Sequence, residues 1–133
     1  MNASTYLRMK VAVIEDESYT RKLIVASLRR LSFGTIYEAA DGKEGLDMVV
    51  DKQPDIVLCD IHMVPVDGLT FLKTLRRLTD PPGISQTPVI FLTADSQTDT
   101  VLSAKEYRVD GYLVKPVNPL AMKARIDAAL ARR

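Results

Sequence analysis

Short apolar runs alternate along the chain with longer segments of a different rhythm. Val11-Ala12-Val13-Ile14, Ile56-Val57-Leu58-Cys59, Val89-Ile90-Phe91-Leu92 and Tyr112-Leu113-Val114 are too brief for helices and rich in residues that favour strands. They predict strands over Lys10–Ile14, Ile56–Cys59, Pro88–Leu92 and Gly111–Val114, with a further short one over Thr35–Ala39. Between them the spacing is helical. Ser18–Leu31 carries Leu23, Ala26, Leu28 and Leu31 as its apolar side, and Gly34 follows as a turn residue. Asp41-Gly42 opens a helix through Val50 with Leu46, Val49 and Val50 inward. Asp67-Gly68 opens another to about Leu78, with Leu69, Leu72, Leu75 and Leu78 at helical spacing. A helix with a thin apolar pattern is expected over Thr98–Tyr107, and a final Ala-rich one over Pro119–Ala131 begins with proline, a good first residue.

Five strands alternating with five helices describe an α/β protein with a doubly wound parallel sheet, helices on both faces and right-handed crossovers. Uninterrupted Val/Ile/Leu runs place the inner strands between two covered faces. Pro81-Pro82-Gly83 interrupts Thr79–Thr87, which reads as an exposed connector. Residues 1–9 read as a flexible tail, and residues 10–133 as one domain.

Composition narrows the function. The 133 residues are 47% apolar, enough for one core, and 18 Lys and Arg nearly balance 17 Asp and Glu. No basic excess exists of the kind that non-specific DNA binding needs. The pairs Arg29-Arg30, Arg76-Arg77 and Arg132-Arg133 fall near helix C-termini, where they complement the macrodipole. The single cysteine, Cys59, excludes an internal disulfide, fits a reducing compartment, and reads as a packed small hydrophobe. No run approaches the roughly 20 apolar residues of a membrane span, and the start lacks a signal-peptide pattern. The expectation is a cytoplasmic, soluble protein.

The chemistry lies where the strands end. Glu15 and Asp16 follow the first strand, Asp60 the third, Thr93 the fourth and Lys115 the fifth. Parallel sheets gather ligands at the carboxyl edge, so these groups converge if the runs are parallel. Three crowded carboxylates repel one another and favour a proton or a cation. Oxygen-only ligands favour Mg²⁺ or Mn²⁺ over zinc. Asp60 can act as a nucleophile toward phosphorus, with Lys115 supplying a cation and Thr93 a hydroxyl donor.

Ile14-Glu15-Asp16, Asp60 followed by Met63 and Asp67-Gly68, Thr93-Ala94, and Gly111-Tyr112-Leu113-Val114-Lys115-Pro116 resemble the receiver domain of two-component response regulators, among them single-domain chemotaxis-type regulators. The resemblance runs from about Lys10 to Leu130. It implies a flavodoxin-like strand order 2-1-3-4-5 and a phosphoacceptor at Asp60, fed by a phosphohistidine on a sensor kinase. It implies Mg²⁺ held by Glu15, Asp16, Asp60 and the backbone carbonyl of His62, with Lys115 contacting the phosphoryl group. Thr93 would turn inward to bond that group while Tyr112 changes rotamer, and Lys115-Pro116 would be cis. The output surface would fall roughly within Thr98–Ala131.

Its partners would be a sensor histidine kinase or histidine phosphotransfer protein and a downstream target. Neither nucleic acid nor membrane would be bound directly, and the chain would be a monomer or a weak phosphorylation-dependent dimer. It would catalyse only its own phosphorylation and dephosphorylation. The alternatives are a phosphorelay intermediate and a metal-dependent phosphohydrolase with an aspartyl-phosphate intermediate. Haloacid-dehalogenase-type hydrolases place an aspartate two residues after the nucleophile, where this chain has His62. A flavodoxin-like nucleotide binder would need a phosphate loop where Glu15-Asp16-Glu17 stands.

Several positions depart from the family pattern. Val64 stands where proline is common, with Pro65 one later. Glu15 replaces an aspartate, and Arg108 occupies a usual glycine position at the end of the fourth family helix. The connector around Pro81 is longer than typical. His62 and Asp95 occupy positions that tune phosphoryl lifetime in the family.

Overall fold

In the computed structural model, residues 1–94 and 103–132 are described. The strands β1 (Lys10–Ile14), β2 (Thr35–Ala39), β3 (Ile56–Asp60), β4 (Val89–Thr93) and β5 (Gly111–Val114) form one sheet in the order β2-β1-β3-β4-β5. Every pairing is parallel. Helices α1 (Ala3–Leu7), α2 (Ser18–Arg30), α3 (Gly42–Lys52), α4 (Gly68–Arg77), helical residues 103–106 (α5) and α6 (Pro119–Ala131) complete it.

Alternation along the strands splits the core in two. Val11, Val13, Leu58, Ile90, Leu92 and Leu113 pack with α2 and α6, whereas Ala12, Ile14, Val57, Cys59, Val89 and Phe91 pack with α3 and α4. Every residue of β3 and β4 is buried, as a sheet covered on both faces requires. Each large aliphatic side chain so buried contributes about 1.5–3 kcal/mol before conformational entropy is counted.

Short polar side chains fix the helix starts. Asp41 accepts from the Glu44 amide at 2.8 Å, Asp67 from the Thr70 amide at 2.8 Å, and Asn118 from the amides of Leu120 and Ala121. Each satisfies an amide that lacks a partner within its helix.

Four features differ from the sequence-based expectation. Residues 3–7, expected within a loose tail, form a helix. Tyr6 is 1% exposed, stacks on Phe33 at 4.8 Å, and donates its hydroxyl to Asp127 of α6. A lone aromatic in a polar segment gave no periodicity, and its pocket comes from two distant elements. On α2, Ile24, Val25 and Leu28 face inward while Leu23 is 53% exposed and Ala26 is exposed. Two neighbouring rows of α2 are both apolar, so only contact with the sheet selects between them.

The connector after α4 is anchored rather than merely exposed. Ile84 and Thr87 are buried around a 3₁₀ turn, Ile84–Gln86. Finally, Arg76 is not a surface complement to the helix dipole. Its side chain is 4% exposed and donates to the carbonyls of Ser85, Thr87, Tyr107 and Arg108 at 2.6–3.0 Å. Asp110 completes the contact at 3.4 Å and also accepts from the Val89 amide.

Arg108 takes the left-handed conformation a glycine would adopt readily, with φ of 57°. Its carbonyl accepts from Arg76, and its guanidinium donates to Gln86 at 3.2 Å. The expected helix over Thr98–Tyr107 lies partly outside the described residues, and Asp95 lies wholly outside them. Lys115–Pro116 is cis, as are Val64–Pro65 and Asp80–Pro81.

Candidate functional site

Parallel pairing brings the carboxyl ends of β1, β3, β4 and β5 to one edge, and the expected chemistry collects there. Glu15 follows β1, its amide donating to Ala39 of β2 at 3.0 Å. Asp60 ends β3 opposite Leu92, and Thr93 ends β4 opposite Val114. The Lys115 amide then donates to the Thr93 carbonyl at 2.7 Å. Glu15, Asp60 and Thr93 are all buried, while Asp16 stands exposed at the rim.

One carboxylate oxygen from each of Glu15, Asp16 and Asp60 lies within 4.8 Å of the others. Opposite ligands of an octahedral Mg²⁺ stand about 4.2 Å apart, so small shifts would close this set around one ion. The Lys115 ammonium bridges the two buried acids, 2.5 Å from Glu15 Oε1 and 3.3 Å from Asp60 Oδ1. One ammonium faces three carboxylates. Glu15 Oε1 is buried and meets Lys115 as an ion pair rather than through a well-aligned hydrogen bond, so one ammonium leaves part of the charge of three carboxylates uncompensated. The set fits a hard, oxygen-seeking ion on both composition and electrostatics.

Protonation follows the crowding. Partial desolvation, then the hydrogen bond and charge of Glu15, raise the Asp16 carboxyl above its usual range. Burial alone would lower the Lys115 ammonium, but Glu15 and Asp60 outweigh it and hold Lys115 charged. Burial, then the charges of Asp60, Glu15 and Asp67, push the Cys59 thiol well up. Cys59 donates to the Asp60 carbonyl at 3.3 Å and is a packing residue.

Two glycines hold the loop after Asp60. The Gly68 amide donates to the Ile61 carbonyl at 2.8 Å, and a Cβ there would lie 2.3 Å from the Asp60 carbonyl oxygen. The Gly42 amide donates to the Val66 carbonyl, which a Cβ at Gly42 would meet at 2.6 Å. In the sequence both Asp-Gly pairs read as helix openings, and Asp67-Gly68 also as part of the family resemblance. Their glycines also let backbone meet backbone beside the site, and that second use leaves no separate signal. The loop carries exposed His62 and Val64, which line a cavity of about 330 Å³ with Asp16, Met63 and Asp67.

Tyr112 does not join the acids. Its ring packs 6.2 Å from Phe91 within the core cluster on the α3–α4 face, and burial raises its hydroxyl pKa.

Known proteins resemble this chain in architecture and in sequence. The response-regulator receiver-domain pattern matches residues 11–127. The chain is 30% identical to chemotaxis protein CheY-3 of Vibrio cholerae across 99% of each chain. It is 31% identical to chemotaxis protein CheY of Pseudomonas aeruginosa, over 93% of this chain and 98% of that one. A solved structure of a putative response regulator from Chloroflexus aurantiacus superposes with a TM-score of 0.84 at 26% identity, covering 93% and 98% of the two chains. With a matching sequence pattern, full-length relatives and the same five-stranded frame, the chain belongs to the response-regulator receiver-domain family.

Proposed function

We propose that this receiver domain is switched by phosphorylation of Asp60 and signals by binding another protein. The observation that carries the assignment is the three-carboxylate cluster with Lys115 bridging Glu15 and Asp60. An Asp60 carboxylate oxygen attacks the phosphorus of a phosphohistidine on a sensor kinase or histidine phosphotransfer protein. The P–N bond breaks, its electron pair stays on the imidazole, and the imidazole takes up a proton. Lys115, charged throughout, faces the transferred group, and the Thr93 hydroxyl donates to one of its oxygens.

Glu15, Asp16, Asp60 and the His62 carbonyl would hold Mg²⁺, or Mn²⁺ in its place. When bound, the ion neutralises charge on the phosphoryl oxygens. Phosphorylation adds about −1.5 to −2 charges and three acceptor oxygens, which draw Thr93 and Lys115 toward Asp60. Tyr112, packed on Phe91 of β4, would follow by changing rotamer. A full shift between two states requires about 5.5 kcal/mol of differential binding, so a target protein completes it.

Exposed Leu23 and Tyr19 support donor docking next to the site. With Ala94, Pro116, Val117 and Lys115 they line a groove of about 570 Å³. The donor would be met in the cytoplasm.

Acetyl phosphate with Mg²⁺ should add one phosphoryl group per native chain by intact-mass measurement, and none to Asp60→Asn. Equal labelling of both proteins removes Asp60 from this role.

A further inference from the structure

Beyond the acids themselves, we infer that Arg21 is a positioning residue for the cation site: it clamps the backbone carbonyl of Glu15 and anchors that clamp on Glu38. Strand β1 ends at Ile14, and the Glu15 carbonyl lies past its ladder. Arg21, one turn into α2, donates Nη1 to that carbonyl at 2.6 Å and Nε to Glu38 Oε1 at 3.3 Å. Its side chain is 20% exposed and that of Glu38 44%, so the inner contact is the more sheltered. The remaining bonds of the segment converge on the same geometry. The Glu15 amide is tied to Ala39 of β2, the Glu17 amide donates to Glu15 Oε2 at 3.3 Å, and the Arg21 amide donates to the Glu17 carbonyl at 2.9 Å.

Glu15 and Asp16 leave the sheet through this one segment. Their side chains can point at a shared ion only if the peptide between them keeps its orientation. The Glu15 carbonyl is part of that peptide, and Arg21 holds it from the helix while Glu38 holds Arg21 from the neighbouring strand. A guanidinium suits the task because its planar fork makes both bonds at once.

Charge and geometry make opposite forecasts, which separates them. By charge alone, a guanidinium beside an acidic cluster repels a divalent cation, so its removal tightens binding. By geometry, losing an outer partner of the ligand set weakens metal affinity, typically by about 10–100-fold.

The role rests on the Mg²⁺ site proposed above, and the test separates the two. Mg²⁺ is titrated into native protein, Arg21→Ala, Arg21→Lys and Glu38→Gln, followed by amide NMR, with thermal unfolding recorded for each. Native protein should bind, Arg21→Ala about tenfold more weakly, with Arg21→Lys and Glu38→Gln between them. The Mg²⁺ concentration for half-maximal acetyl-phosphate labelling should rise in Arg21→Ala, while the rate at saturating Mg²⁺ matches native, a split that loss of stability would not produce. Equal or tighter binding by folded Arg21→Ala overturns the clamp while leaving the Mg²⁺ site standing. If Arg21→Ala fails to fold, native-like affinity in both Arg21→Lys and Glu38→Gln overturns it instead. A native protein that takes up no Mg²⁺ overturns the site and the clamp together.

Discussion

The two ends of the sheet both hold buried charge and treat it in opposite ways. At the amino ends of β4 and β5, Arg76 donates to four backbone carbonyls and meets Asp110. Asp110 in turn takes the Val89 amide, so the charge is compensated by groups that are fixed in place. At the carboxyl edge, Glu15, Asp16 and Asp60 share one ammonium, and Glu15 Oε1 lacks a good hydrogen bond. One end is closed and structural; the other retains unused acceptor capacity for a ligand. Burial of charge is therefore a poor guide to function here. The balance between charges and their partners is the better one.

Breaking the closed end should cost most. Arg76→Ala removes the cation beside Asp110 and the donor to four carbonyls in a region from which water is largely excluded, and should lower stability by about 3–5 kcal/mol, read by urea unfolding. Arg76→Lys should recover little, because an ammonium lacks the fork that reaches both loops. A loss below about 1 kcal/mol would mean the carbonyls find other donors.

A second latch on the α2–α6 face is predicted to depend on pH. Burial alone would raise the Asp127 carboxyl, but bonds from Lys123, Tyr6 and the amino terminus hold it below its ordinary 3.8. A lowered folded-state value means the stabilisation is fully present above about pH 3.8 and lost as pH falls through the lowered value. Asp127→Asn should therefore be less stable than native at neutral pH, with the two converging in strong acid. Urea midpoints across pH measure this, and a constant gap would rule it out.

The smallest effect is expected at the open end. Asp60→Asn removes one of three crowded like charges along with its 3.3 Å contact to Lys115. These changes oppose each other, so stability should move by no more than about 1 kcal/mol in the same urea assay. A large destabilisation there would erase the distinction between the two ends.

Legibility in the sequence followed how locally each feature is encoded. The strand runs, the helix openings at Asp41-Gly42, Asp67-Gly68 and Pro119, and the acids at strand ends all depend on residues within a few positions. Each was readable, and parallel order then placed Glu15, Asp60, Thr93 and Lys115 together. Arg76 looked like any arginine at a helix end, since the carbonyls and carboxylate it meets come from two other segments. Tyr6 looked like a residue of a loose tail because Phe33 and Asp127 are distant in the chain. Leu23 looked buried because α2 has two apolar rows.

Amino-acid order alone thus settled the five strands, the helices opened at Ser18, Asp41, Asp67 and Pro119, their α/β alternation and the acidic, hydroxyl and ammonium groups at the strand ends. Tertiary packing decided which apolar row of α2 turned inward, which arginine became a buried staple, and whether the first residues docked. The physical reason is that strand rhythm and helix caps are set by near neighbours, whereas burial and charge compensation are set by whatever the chain brings alongside.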